Sequence, residues 1–222
     1  MTFLHSFTAS DFADEVCPLC QNVSHRFHLD QFLLCSTCAA IFRPKSSLPS
    51  LANEKARYEE HNNDVHDEGY QQFVSPITER IFAERAPEEH GLDFGSGTGP
   101  VISKILLEAG YQIEQYDPIF KPDGFLLKSK YDYIVCCEVI EHFHQPAEVF
   151  PVLYSLLKPG GSLYCMTLLY HDGIDFANWH YQRDPTHVII YREKTLKWIK
   201  SQYDFSSLEI DDRLIVFQNG NS

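Results

Sequence analysis

The stretch His90-Gly-Leu-Asp-Phe-Gly-Ser-Gly-Thr-Gly-Pro100, HGLDFGSGTGP, decides the fold. Gly91 to Phe94 reads as a short strand. Gly95, Ser96, Gly97 and Gly99 form a glycine-rich turn, and PVISKILLEAG reads as the helix that follows. Pro100 suits the first helical turn and Gly110 suits its end. Glycines in such a turn let backbone N–H groups approach a ligand and let the helix pack closely on the strand. A second strand, YQIEQYD, ends at Asp117. That is near the offset of about 20 residues at which an acid meets ribose hydroxyls in dinucleotide folds.

The glycines fall as D-F-G-x-G-x-G, which differs from the NAD fingerprint. Further segments follow in order: YDYIVCCEVIEH, then PAEVFPVLYSLLKPGGSLYCMT, then FSSLEIDDRLIVFQN. Together they resemble the class I S-adenosylmethionine-dependent methyltransferases over roughly residues 87 to 218. The resemblance implies an α/β Rossmann-like fold, with a seven-stranded, mostly parallel sheet closed by a C-terminal antiparallel hairpin. It implies S-adenosylmethionine as cofactor. Asp93, Gly95, Ser96, Gly97 and Gly99 would line the methionine part, and Asp117 would accept hydrogen bonds from the ribose. Pro118 and Ile119 would flank the adenine, and Glu138 would border the cofactor. The family's third strand is hard to find in PIFKPDGFLLKSK, where Phe125 or Leu126 is offered as an adenine cover. The competing reading of Asp117 is a turn cap before Pro118.

Glu138, Glu141 and His142 stand at i, i+3 and i+4, and a helical turn starting there would aim all three one way. Two carboxylates and an imidazole suit Mg²⁺ or Mn²⁺, with Fe²⁺ or Zn²⁺ as further choices. His187, or His180, would complete the set. This pattern resembles the metal site of small-RNA 3′-end 2′-O-methyltransferases. A similar Glu-x-x-Glu-His occurs in ubiquinone-biosynthesis O-methyltransferases. The resemblance implies a second divalent cation at Glu138, Glu141, His142 and His187, which binds a vicinal diol or catechol and lowers the pKa of its hydroxyl. The competing reading is that these residues only order the pocket wall. In the insertion NWHYQRDPTHVIIY, Trp179 and Tyr181 read as lid packing, and Asp184 and His187 as stitching the lid or serving the site. His144 reads as exposed. Arg57, Tyr58 and His61 either close over the cofactor or occupy an ordinary helix surface, and Cys136, Cys137 and Cys165 read as core.

Upstream, CPLC and CSTC give C-x2-C-x14-C-x2-C. Cys17, Cys20, Cys35 and Cys38 can aim four thiolates at one Zn²⁺, a closed and therefore structural site. The intervening QNVSHRFHLDQFLL suits the hairpin of a zinc ribbon, whose small core would need the metal to fold. A redox pair or free thiols are the alternatives. LANEKARYEEHN reads as a charged helix. Tyr70, Phe73, Val74, Ile77 and Ile81 mark the apolar face of another, with Pro76 inside it. The expected organisation is a ribbon over 1–45, a helical connector or cofactor lid over 46–86, and the methyltransferase domain over 87–222.

The net charge of −13 disfavours a broad phosphate-binding face. No apolar run reaches the ~20 residues a membrane span needs. MTFLHSFTASDFADEV has no secretory pattern, so a cytoplasmic location is expected. The leading expectation is a methyltransferase acting on a small molecule at a hydroxyl. Its rivals are an RNA methyltransferase whose ribbon docks RNA, and a non-catalytic methyltransferase-like subunit whose ribbon docks a partner.

Overall fold

Alternating side-chain direction along each strand decides which face it buries, and the chain uses both faces of its main sheet. The computed structural model describes residues 15–60 and 64–220. The stretch read for a secretory signal, up to residue 14, and His61 lie outside the described residues. The N-terminal hairpin pairs β1 (Ser24–His28) with β2 (Phe32–Cys35), and β3 (Ile41–Phe42) adds to β2. Helix α1 (Leu51–Glu59) is capped by the Ser50 hydroxyl, which accepts from Asn53 N–H. Helix α2 (Glu68–Glu84) starts on an Asp67 cap, runs through Pro76, and buries Val74, Ile77 and Ile81.

The main sheet begins with β4 (His90–Phe94), α3 (Val101–Glu108) and β5 (Gln112–Tyr116). It continues through β6 (Tyr131–Cys137), α4 (Pro146–Leu156) and β7 (Leu157–Met166). After the short β8 (Ile189–Ile190) come α5 (Glu193–Gln202) and the closing hairpin β9 (Phe205–Asp211) and β10 (Leu214–Asn219). The strand order is β5-β4-β6-β7-β10-β9, with β10 antiparallel to both neighbours and the other pairings parallel.

Six strands stand in this sheet where seven are expected. The missing one is the third strand. Its residues instead make a bridge between Asp117 and Lys121 and a 3₁₀ turn at Leu126–Lys128. Pro118, Pro122 and Gly124 crowd this segment, and each disfavours a regular ladder. As a result β5 is the edge of the sheet. Phe125 is 79% exposed there.

One face of the sheet carries Tyr133, Val135, Tyr164 and Val216 and packs against α2 and α3. The other carries Ile134, Cys136, Leu163 and Cys165 and packs against Phe150 and Leu153 of α4 and Leu196 and Ile199 of α5. Cys17, Leu19, Leu33, Cys38 and Phe42 of the ribbon belong to this second core. The ribbon also extends its own sheet into the rest of the chain. Phe42 pairs with Ile189 and Ile41 with Ile190, which gives the order β1-β2-β3-β8.

Candidate active site

The glycine turn leaves β4 on two left-handed residues, Gly95 (φ 81°) and Gly97 (φ 60°). A Cβ at Gly95 would fall 2.6 Å from Val139, so the turn passes hard against the end of the β6 loop. A Cβ at Gly97 would meet nothing within 4 Å. That open space, beside backbone N–H groups at the carboxyl ends of parallel strands, is where an α/β sheet receives a ligand. The residues fit the methionine and ribose of S-adenosylmethionine.

Two acids frame the turn. The Asp117 carboxylate accepts Gly97 N–H on Oδ2 (3.0 Å) and Ile119 and Phe120 N–H on Oδ1 (2.8 and 2.9 Å). The turn-cap role is therefore visible, and Oδ2 keeps a lone pair for a ribose hydroxyl. Asp93 lies beneath the turn. Its Oδ2 accepts the Ser103 hydroxyl at 2.7 Å, tying β4 to α3, and burial pushes its carboxyl up to about 6. Ser96 and Gly99 are buried within the turn, while Pro118 is exposed.

Across the β6 end, the expected helical turn from Glu138 to His142 does not form. Glu138 takes a left-handed backbone (φ 51°), with its N–H donated to Met166 carbonyl. A 3₁₀ turn then starts at Ile140. The shared helical face therefore does not form, and the path of the loop sets the group that converges. That group is Glu141, His142 and His187, whose ligand atoms lie within 4.8 Å of one another. Glu138 adjoins this set, close enough for the Glu141 charge to act on its carboxyl.

The three converging side chains are prepared as ligands. His142 Nδ1–H donates to Thr186 carbonyl (2.8 Å) and His187 Nδ1–H to Tyr181 carbonyl (2.7 Å). A carbonyl only accepts, so each Nδ1 carries a proton, and in the His187 ring, when neutral, Nε2 is then the acceptor nitrogen. Burial, with the nearby His142 adding to it, pushes His187 down to about 4, which keeps its imidazole neutral. Glu141 is fully buried. Tyr181 hydroxyl donates to its Oε1 (2.7 Å), and Oε2 has no hydrogen-bond partner. Burial pushes the Glu141 carboxyl up to about 7. Glu138 Oε1 is likewise buried and unpartnered, and burial followed by the Glu141 charge pushes this carboxyl up to about 9. A buried carboxylate oxygen without a partner is costly unless a cation or proton meets it. The donor set of one carboxylate oxygen and two imidazoles suits Mn²⁺, Fe²⁺ or Zn²⁺.

Several residues around the site carry roles that local sequence signals did not assign. Tyr181 is more than lid packing, because it orients Glu141 and takes a hydrogen bond from the Thr167 hydroxyl (2.6 Å). Arg57 pairs with Asp184 Oδ2 at 2.9 Å, and the Tyr58 ring lies 5.3 Å edge-on from His142. Helix α1 thus covers the cluster. His144 is not exposed: its Nε2 meets Glu54 Oε1 at 2.7 Å and fastens α1 to the same loop. His180 faces solvent, outside the cluster. Trp179 packs against Tyr170 and Phe176, as a lid residue should.

In the ribbon, all four sulfurs of Cys17, Cys20, Cys35 and Cys38 lie within 4.8 Å of one another, with Cys17 3.5 Å from Cys38 and Cys20 3.2 Å from Cys35. Zinc bonds of about 2.3 Å set tetrahedral sulfurs about 3.8 Å apart, so small adjustments would admit the ion. Thr37 and Cys38 N–H point at Cys35 Sγ, each at 3.4 Å, which favours a thiolate there. The residues present fit a structural zinc.

Known proteins share the fold just described. The family described as "Methyltransferase domain" matches residues 66–210. The ubiquinone biosynthesis O-methyltransferases of Stutzerimonas stutzeri and Pseudomonas putida are 28% and 27% identical to this chain over 92 residues. Those alignments cover 41% of this chain and 40% of each relative, so the chain spans about two fifths of the curated relatives it matches. Among solved structures, an O-methyltransferase family protein from Burkholderia thailandensis superposes with a TM-score of 0.56 at 15% identity, covering 80% of this chain and 66% of that one. The magnesium protoporphyrin IX methyltransferase of Synechocystis with bound S-adenosylhomocysteine gives 0.54 at 18% identity, covering 77% and 95%. With the glycine turn, the strand order and the family match agreeing, the chain belongs to the class I S-adenosylmethionine-dependent methyltransferases.

Proposed function

We propose that this protein methylates a hydroxyl of a small molecule that presents two adjacent oxygens, a vicinal diol or a catechol. Glu141, His142 and His187 would hold a divalent cation for it. The observation that carries this reading is the buried, unpartnered Glu141 Oε2 beside two histidines whose Nδ1–H groups are both taken by carbonyls. The net charge of −13 and the use of the ribbon's third strand in internal pairing support a small acceptor over a nucleic acid.

When bound, S-adenosylmethionine supplies a methyl group already activated on sulfonium, and the cation supplies polarisation of the acceptor hydroxyl. The chain's own contribution is placement. Gly95, Ser96, Gly97 and Gly99 leave room at the turn for the methionine, and Asp117 Oδ2 meets the ribose. Glu141, His142 and His187 would hold the cation that receives the acceptor oxygens. The cation would lower the pKa of the acceptor hydroxyl so that its proton leaves to solvent, because Glu138, its carboxyl pushed up to about 9, would already hold a proton near neutral pH. Four ribbon cysteines would hold the structural zinc.

The test is a methylation assay on a catechol and on the matching monophenol, with and without a chelator too weak to strip thiolate zinc. Catechol methylation should require added Mn²⁺, and His187→Ala should lower it by more than about 100-fold. Affinity for S-adenosylhomocysteine should stay within about 2-fold in that variant. Full activity after chelation would reduce the cluster to a pocket wall.

A further inference from the structure

The two ligand histidines owe their orientation to carbonyls of one irregular segment, Tyr181 to His187. Tyr181 carbonyl takes His187 Nδ1–H and Thr186 carbonyl takes His142 Nδ1–H. Beyond the 3₁₀ turn at His180–Arg183, no helix or strand fixes where those carbonyls point. Arg43, the first residue after β3 of the ribbon, holds three neighbouring carbonyls of the same segment. Its Nη2 donates to Gln182 carbonyl (2.7 Å) and Asp184 carbonyl (3.2 Å), and its Nε donates to His187 carbonyl (3.1 Å). Its own N–H donates to Val188 carbonyl at 2.9 Å. Val188 N–H donates in turn to Glu141 carbonyl at 3.0 Å. The carbonyls of one loop are thus divided between the histidines and a single guanidinium.

Arg43 forms no ion pair within 4.0 Å among the described residues. Instead its guanidinium lies 4.4 Å from the centre of the Phe32 ring. Every hydrogen bond of this half-buried guanidinium to the described residues goes to a main-chain oxygen. A fork of rigid donors is well suited to holding several carbonyls at once, which a single ammonium cannot do. The same segment is backed by the ribbon's aromatic side chains, Phe27 and Phe32 meeting Phe176 at 4.9 and 5.0 Å.

We propose that Arg43 is a positioning residue for the cation site, and that through it the ribbon forms the outer layer of the acceptor half of the active site. This rests on the cation reading above and extends it to a residue that touches neither cation nor acceptor. Outer hydrogen-bond partners of metal ligands commonly matter by 10–100-fold in affinity. Loss of Arg43 should therefore weaken the cation site and leave the glycine turn, to which none of its hydrogen bonds goes, as it was.

The experiment uses the zinc-loaded full chain. Mn²⁺ binding is measured by calorimetry and electron paramagnetic resonance, S-adenosylhomocysteine binding by calorimetry, and the imidazole tautomers by ¹⁵N NMR without added Mn²⁺. In wild type, His142 and His187 should show Nδ1–H tautomers and one Mn²⁺ should bind. Arg43→Ala should weaken Mn²⁺ by about 10–100-fold, mix the tautomers, and leave zinc content and S-adenosylhomocysteine affinity unchanged. Arg43→Lys keeps one donor and the contact with Phe32, so it should fall between, and it serves if the alanine variant does not fold. Wild-type Mn²⁺ affinity and tautomers in both variants would overturn the positioning role alone. A wild-type protein that binds no Mn²⁺ would overturn the cation reading and this inference with it. Equal losses of Mn²⁺ and S-adenosylhomocysteine would show that Arg43 supports the whole fold instead.

Discussion

The two halves of the site are made in different ways. The cofactor half comes from one contiguous stretch and its strand neighbour: Gly95 to Gly99 at the end of β4, with Asp117 at the end of β5. Its groups are mostly backbone, and the parallel pairing of β4 with β5 places them. The acceptor half is built from side chains of distant origin. Glu141 and His142 follow β6, His187 precedes β8, and Arg43, Arg57 and Tyr58 reach in from the ribbon and α1. The first half should survive damage elsewhere, whereas the second should fail when any remote support is removed.

The hardest test of that contrast removes the ribbon's metal. Structural zinc contributes about 10–16 kcal/mol of apparent binding free energy in small zinc-dependent folds. Cys17→Ser with Cys20→Ser should therefore abolish zinc content, about one per chain in wild type by elemental analysis, and disorder β3. Without β3 the pairing to β8 and the Arg43 contacts go, so Mn²⁺ binding and methyl transfer should be lost. S-adenosylhomocysteine binding should persist. If it disappears too, the halves form one cooperative unit and the contrast is wrong.

The converse change acts on the cofactor side. Gly97→Val places a β-branched residue at φ 60°, where such a side chain costs about 1–3 kcal/mol, and its Cβ enters the open space of the cradle. S-adenosylhomocysteine affinity should fall by about 10-fold or more while Mn²⁺ affinity holds. Calorimetry with each ligand gives both values. A matched loss of Mn²⁺ would mean that the turn also shapes the acceptor half.

This difference in construction also decides how much could be read from the sequence. The glycine turn, the β4-α3-β5 unit and the C-terminal hairpin rest on local chemistry, so spacing and turn residues found them. The four cysteines were legible because two short knuckles carry the whole donor set. His142 and His187 could be suspected from their types, but their convergence depends on a loop whose path no periodicity encodes. Glu138 reaches the neighbourhood of Glu141 by another route than helical spacing implied, through a left-handed residue at φ 51°. Arg43 gave no signal at all, since an arginine after a short apolar strand is ordinary until its three carbonyl partners are known. The third strand was lost where prolines and a glycine interrupt Pro118 to Lys130, which the sequence did show.

The smallest expected effect concerns the clamp between α1 and the loop. Asp184 Oδ2 accepts from Arg57, and Oδ1 accepts Thr186 N–H at 2.9 Å and its hydroxyl at 2.6 Å. Burial pushes this carboxyl up, but the Thr186 bonds and Arg57 outweigh it and hold it below the usual carboxylate range. A carboxyl whose folded pKa is depressed stabilises the fold above its unfolded value, about 3.9, and that contribution disappears as pH falls through the folded value. The Arg57 side chain is 41% exposed, so solvent screens the pair. Asp184→Asn should therefore cost only about 1 kcal/mol at pH 7, a fall in melting temperature of about 2–4 °C. The gap between variant and wild type should narrow steadily below about pH 4, where the unfolded chain takes up a proton that the folded carboxyl still refuses. Thermal melts across that range check the sign. A gap that stays constant into acid would mean that the amide fails for its shape rather than its charge, and the clamp would then belong to packing. Mn²⁺ affinity should fall less in Asp184→Asn than in Arg43→Ala, because Arg57 touches one side chain of the loop while Arg43 holds its backbone.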